Sequence, residues 1–97
     1  MKNLTKAFNQ LRKKGYFARQ NFMCCQSCGW ASVPNEYGER AVFYHAQDKY
    51  DMKKSNEVYL AWAGNGQEIV KVFESNGFFV EWNGETTTRI KVISTIN

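Results

Sequence analysis

Glu57-Val58-Tyr59-Leu60-Ala61-Trp62-Ala63, then Gly64-Asn65-Gly66-Gln67-Glu68-Ile69-Val70-Lys71-Val72-Phe73-Glu74-Ser75-Asn76-Gly77, then Phe78-Phe79-Val80-Glu81-Trp82 is the stretch on which the fold turns. The first and last segments are rich in β-branched and aromatic residues and bounded by polar turns, so both read as strands. The middle one has the clearest helix start in the chain. Asn65 can cap it, Glu68 stands three residues on as in a capping box, Ile69, Val72 and Phe73 form the stripe to be buried, and Gly77 ends it. A strand–helix–strand unit makes a right-handed crossover, which predicts that the Val58 and Val80 strands run parallel.

Working outward, Ala41-Val42-Phe43-Tyr44-His45-Ala46 reads as a strand before the unit. The ten residues from Gln47 to Asn56, five of them charged, form a long loop that is a candidate mobile or functional segment. Behind the unit, Phe78 to Trp82 and Glu85 to Ile93 flank Asn83-Gly84 as a closing hairpin. A two-residue turn would place Ile90 and Val92 on the face away from Phe78 and Val80. An odd-length loop, Trp82-Asn83-Gly84 with Gly84 left-handed, brings Phe78, Val80, Thr88, Ile90 and Val92 to one face, and is the form predicted.

Toward the N-terminus, Leu4, Ala7, Phe8 and Leu11 recur with the period of an amphipathic helix that Gly15 stops; Lys2, Lys6 and Lys13 fall opposite that stripe. Tyr16 to Gln20 reads as a short connector, and Asn21 to about Ser32 as a second, short helix ended near Pro34. The element order is therefore α-α-β-β-α-β-β. The fold predicted is a single α+β domain over residues 1–97, a two-layer sandwich with helices on one face of a mixed four-stranded sheet.

The chain has 97 residues, 43% of them apolar and fifteen aromatic, which is enough for one core and too little for two. Neither an apolar leader at the N-terminus nor a run of about 18 apolar residues is present, so the expected address is the cytoplasm, with no membrane partner. Three cysteines, an odd count, then read as reduced thiols. The net charge of +4 is unevenly placed: residues 1–20 carry Lys2, Lys6, Arg12, Lys13, Lys14 and Arg19 with no acid, and the remainder carries seven bases against nine acids. Such a block steers a polyanion or an acidic protein toward one end of a molecule, or is simply a solvated helix face. Tyr16 and Phe17 lie among these bases; they would stack on bases of a nucleic acid or pack beneath the helix.

All three cysteines fall within Cys24-Cys25-Gln26-Ser27-Cys28, and the single histidine, His45, follows soon after. Cys24, Cys25, Cys28 and His45 would complete a tetrahedral zinc set, but the second paired half-site of a structural zinc motif is missing. Small thiols packing a helix onto a sheet is the competing reading. His45 and Asp48, at a strand end entering the long loop, are candidates for acid–base work, without a visible nucleophile beside them. No phosphate-binding loop, dinucleotide fingerprint or nucleophile elbow occurs.

The segments Asn21-Phe22-Met23-Cys24-Cys25-Gln26-Ser27-Cys28-Gly29, Val42-Phe43-Tyr44-His45-Ala46-Gln47-Asp48 and Val80-Glu81-Trp82-Asn83-Gly84 together resemble a family of small uncharacterised bacterial and phage proteins, a domain of unknown function. The resemblance spans most of the chain and carries no catalytic residues with it. It implies that Cys24, Cys25, Cys28, His45, Gln47 and Asp48 belong to one shared feature, and that Asn83 stands where an acidic residue is commoner. The function expected is a non-catalytic binding or regulatory module for a macromolecule, protein or nucleic acid, with Lys2, Lys6, Lys13, Lys14 and Arg19 as its contact surface. The alternative is a zinc-binding or histidine-dependent small enzyme centred on the cysteine segment and His45; zinc is the one cofactor that reading brings in.

Overall fold

A computed structural model describes residues 3–22, 26–45, 56–86 and 88–94, with residues 26–28 as backbone only. The elements are α1 (Leu4–Lys13), β1 (Phe17–Arg19), α2 (Gln26–Ser32), a 3-10 turn (Asn35–Tyr37), β2 (Ala41–Phe43), β3 (Glu57–Ala63), α3 (Gly66–Ser75), β4 (Phe78–Glu81) and β5 (Ile90–Ser94). The class is α+β, as the sequence predicts. The sheet is mixed but has five strands, in the order β1-β2-β3-β5-β4.

The fifth strand is the segment read as a connector. Phe17, Ala18 and Arg19 pair in parallel with Ala41, Val42 and Phe43, and Phe17 N–H donates to Arg40 O at 2.9 Å. Three residues have too little period to announce a strand. What makes them one is the neighbouring ladder, together with two buried aromatics, Tyr16 and Phe17. The chain leaves β1 through Asn21, at φ +52°, and Phe22 N–H still reaches Tyr44 O at 2.8 Å.

The crossover differs in a second way. β3 and β4 do run in the same direction, since each is antiparallel to β5, but they are not neighbours: β5 lies between them. Ile90 and Val92 are fully buried, and the central position gives them covered strands on both sides. The register pairs Glu81 with Lys91, Val80 with Val92 and Phe78 with Ser94. Phe78, Val80, Ile90 and Val92 therefore share the core face, as the odd-loop reading requires. The loop itself is longer than the predicted three residues, because the strands part at Glu81 and resume at Ile90. Asn83 Oδ1 accepts from Glu85 N–H at 3.0 Å and from Thr88 Oγ1 at 2.7 Å, so a side chain organises this turn instead of a tight backbone hairpin.

Helices do not all lie on one face. α1 and α3 cover the face carrying Ala18, Val42, Leu60, Ile90 and Val92, where Leu4, Phe8, Leu11, Ile69 and Phe73 complete the main core. Phe8 meets Tyr44 and Phe73 edge to face, with ring centroids 5.9 and 5.7 Å apart. Burial of each such Leu, Ile or Phe contributes about 1.5–3 kcal/mol. Because side chains alternate along a strand, Phe17, Ala41, Phe43 and Ala61 point the other way and form a second, smaller core with Val33, Phe22, Trp30 and Tyr37. α2 is the cover of that second face. Gly29 makes the approach close: a Cβ there would fall 2.4 Å from the Phe43 ring. The expected two-layer sandwich is thus three layers deep over β1 and β2.

Candidate functional site

α1 sets the basic residues by its period. With Leu4, Ala7, Phe8 and Leu11 turned inward, Lys6, Arg12, Lys13 and Lys14 are exposed, and Arg19 is exposed at the end of β1. Arg12 and Lys13 lie in the last turn, where cations complement the carbonyl end of the helix dipole. Lys2 lies outside the described residues.

The arginines are already engaged. Arg12 Nε donates to Ala18 O at 2.8 Å, which fastens α1 to β1, and its Nη1 donates to Asn9 Oδ1 at 2.5 Å within the helix. Burial, and then the charge of Arg19, pull the Arg12 guanidinium below its usual value, though such a group stays charged at neutral pH. Arg19 lies over the Phe17 ring, 4.4 Å from its centroid, and donates to Ala18 O. Lys6 and Lys13 on α1, and Lys14 directly after it, are exposed. Beside them a groove of about 450 Å³ runs between α1 and α3, lined by Gln10, Lys14, Lys71 and Ser75, with Asn65 and Glu68 at one end.

At that end stands a cluster that the sequence did not disclose. Arg40 donates to Lys14 O at 2.6 Å, lies 4.7 Å from the Tyr16 ring centroid and 3.9 Å from Glu68 Oε1. Asn65 Oδ1 accepts from Glu68 N–H at 3.1 Å, so Asn65 caps α3 as predicted, but its own N–H donates to Tyr16 Oη at 3.3 Å, in the place the capping box gives to the Glu68 carboxylate. Burial raises the Tyr16 hydroxyl above its ordinary value, against the pull of the Asn65 N–H. Contacts this distant in sequence leave no local signal.

His45 follows β2 and is buried, with 7% of its surface accessible. Tyr44 next to it donates to Gln20 Oε1 at 3.2 Å, and Gln20 Nε2 donates to Thr5 Oγ1 at 3.0 Å, a chain that ties this strand end to α1. Cys24, Cys25 and Asp48 lie outside the described residues, and Cys28 is placed only as backbone in α2. Of the six residues expected to form one shared feature, Cys24, Cys25, Cys28, His45, Gln47 and Asp48, only His45 has its side chain among those described, and the long loop that holds Gln47 and Asp48 lies outside them up to residue 55. Among the described residues no three of His, Cys, Asp and Glu stand together in a way that could hold a metal ion.

The pattern of residues over almost the whole length matches one family profile, described as a domain of unknown function, DUF6891, across residues 1–96. The chain belongs to the DUF6891 family. No curated protein and no solved structure matches it. Membership in DUF6891 therefore brings no activity, ligand or partner to these residues. No described helix is long and apolar enough to cross a membrane.

Proposed function

We propose that this DUF6891 protein is a non-catalytic binding module of the cytoplasm that takes a phosphate-bearing polyanion on the exposed face of α1. The observation that carries the reading is the separation of α1 into a buried apolar stripe and an acid-free basic face, with Lys6, Lys13 and Lys14 offered to solvent. Lys14 and Lys71 extend that charge along the groove toward α3. Recognition on this surface runs through charge and not through stacking, because Tyr16 and Phe17 are buried in the two cores.

The test is retention on heparin and on duplex DNA as a function of salt. In Lys6→Gln/Lys13→Gln/Lys14→Gln the fold should persist, since exposed substitutions usually change stability by within about 0.5 kcal/mol. The slope of log affinity against log salt should flatten by about 0.7–0.9 for each phosphate that the variant no longer neutralises. An unchanged slope with an unchanged melting temperature would reduce the basic face to ordinary solvated surface.

A further inference from the structure

We propose that β4 is a self-association edge, and that two copies of the chain join through antiparallel pairing of β4 with β4 about a twofold axis at Phe79. Three observations on this strand point there.

The first is the contrast between the two edges of the sheet. At the β1 edge, Ala18 O accepts from both Arg12 Nε and Arg19 Nη1, so side chains occupy a carbonyl that a new strand would need. At the β4 edge, among the described residues, the hydrogen bonds of Phe78 to Glu81 are those of the ladder to β5. Phe78-Phe79-Val80-Glu81 is short and ends in one charge, both of which restrain an edge, but it has no Pro, Lys or bulge to keep it from pairing.

The second is where apolar surface remains. The exposed large hydrophobic residues among those described are Phe79, at 55%, and Tyr59, at 44%. They share the sheet face opposite α1 and α3, Phe79 on β4 paired with Ile93 of β5, and Tyr59 two strands away paired with Lys91 of β5. On the other face Val80 and Trp82 pack against the main core and are still only half-buried, as the outermost members of a layer that stops at this strand. A strand added beside β4 covers both faces at once.

The third is the pattern of side chains along β4, which matches a second copy of itself in one register. Pairing centred on Glu81 would set two acids opposite each other and is disfavoured. Pairing centred on Phe79 sets Phe79 against its own copy, Phe78 against Val80, and Glu81 against Gly77. No like charges are then opposed, and each apolar residue meets an apolar one. Glu81 is held on its own sheet by Lys91 Nζ at 3.5 Å. The contact is isologous, so it closes at two copies and does not propagate.

The experiment is sedimentation of the full chain with charge reversal at the axis. The wild-type chain should sediment as a dimer that dissociates on dilution. Phe79→Lys and Phe79→Glu should each be monomeric with unchanged far-UV circular dichroism, since each opposes like charges across the axis, and an equimolar mixture of the two should recover the dimer. A monomeric wild type at every concentration overturns the proposal, as does a dimer that persists in both folded variants, or a mixture of the two that stays monomeric. If a variant loses its fold, amide exchange on the wild type decides: protection of Phe78 to Glu81 should rise with concentration, and protection independent of concentration overturns the pairing.

Discussion

At Gly66 the absence of a side chain is what lets two tryptophans meet. A Cβ there would lie 2.3 Å from the Trp82 ring and 2.9 Å from the Trp62 ring, and those rings cross nearly at right angles, 89°, with centroids 5.3 Å apart. Each indole is also pinned by its N–H, Trp62 Nε1 to Thr88 O at 2.8 Å and Trp82 Nε1 to Glu85 O at 3.0 Å, so neither ring can step aside without breaking a bond. Alanine is the better helix former, yet Gly66→Ala should destabilise the fold by about 1–3 kcal/mol through overpacking. For a domain this size that lowers the melting temperature by roughly 4–8 °C per kcal/mol, and thermal denaturation checks it. The same scale shows what the candidate site disclosed in advance. Helical period fixed the outward face of Lys6 and Lys13 because it depends only on spacing. Nothing in spacing says that Arg12 would reach Ala18 O, or that Arg40 would reach back to Lys14 O, because such contacts depend on which strand lands beside the helix.

Elements were legible in proportion to how much of their stability is local. α3 carries its own signals, and the structure has them: Asn65 caps Glu68 N–H, and Ile69, Val72 and Phe73 are buried. Asn65→Ala should therefore cost about 1 kcal/mol, read as a lower urea midpoint with an unchanged slope. β1 is the opposite case, a three-residue strand that exists because β2 is beside it. α2 lay in the right stretch, but the choice of sheet face belongs to Phe17 and Phe43, whose alternation leaves a second apolar patch to be covered. The β4–β5 turn divides between the two cases. Its parity follows from the apolar alternation of both strands, whereas its length is set by the Asn83 carboxamide and the two indole bonds.

At the scale of the whole molecule, three groups among the described residues bear on the response to alkali. Tyr16 and Tyr44 are both raised by burial from the ordinary value of 10.0. Lys91 is raised from 10.5, first by its bond to Glu57, at 3.1 Å, and then by the charges of Glu57 and Glu81. A group whose value is higher folded than unfolded lends stability that is complete below its unfolded value and disappears as pH climbs through its folded one. All three act in the same direction. The melting temperature should thus fall as pH rises above about 10, with ionisation of these tyrosines, followed by ultraviolet absorbance, completing only as the chain unfolds. Tyr44→Phe should soften that fall, since one of the groups that must ionise is gone.

The position of β5 between β3 and β4 also bears on the order in which a nascent chain can become protein. A ribosome finishes β3, α3 and β4 before it begins Ile90. Until then the facing sides of β3 and β4 have no strand between them, and Val58, Leu60 and Phe78 lack the buried Ile90 and Val92 that complete their layer. Chains stalled before residue 90 should remain sensitive to protease along most of their length, while chains extended past Ser94 should close in a single step, because β5 is the strand that joins the two halves of the sheet.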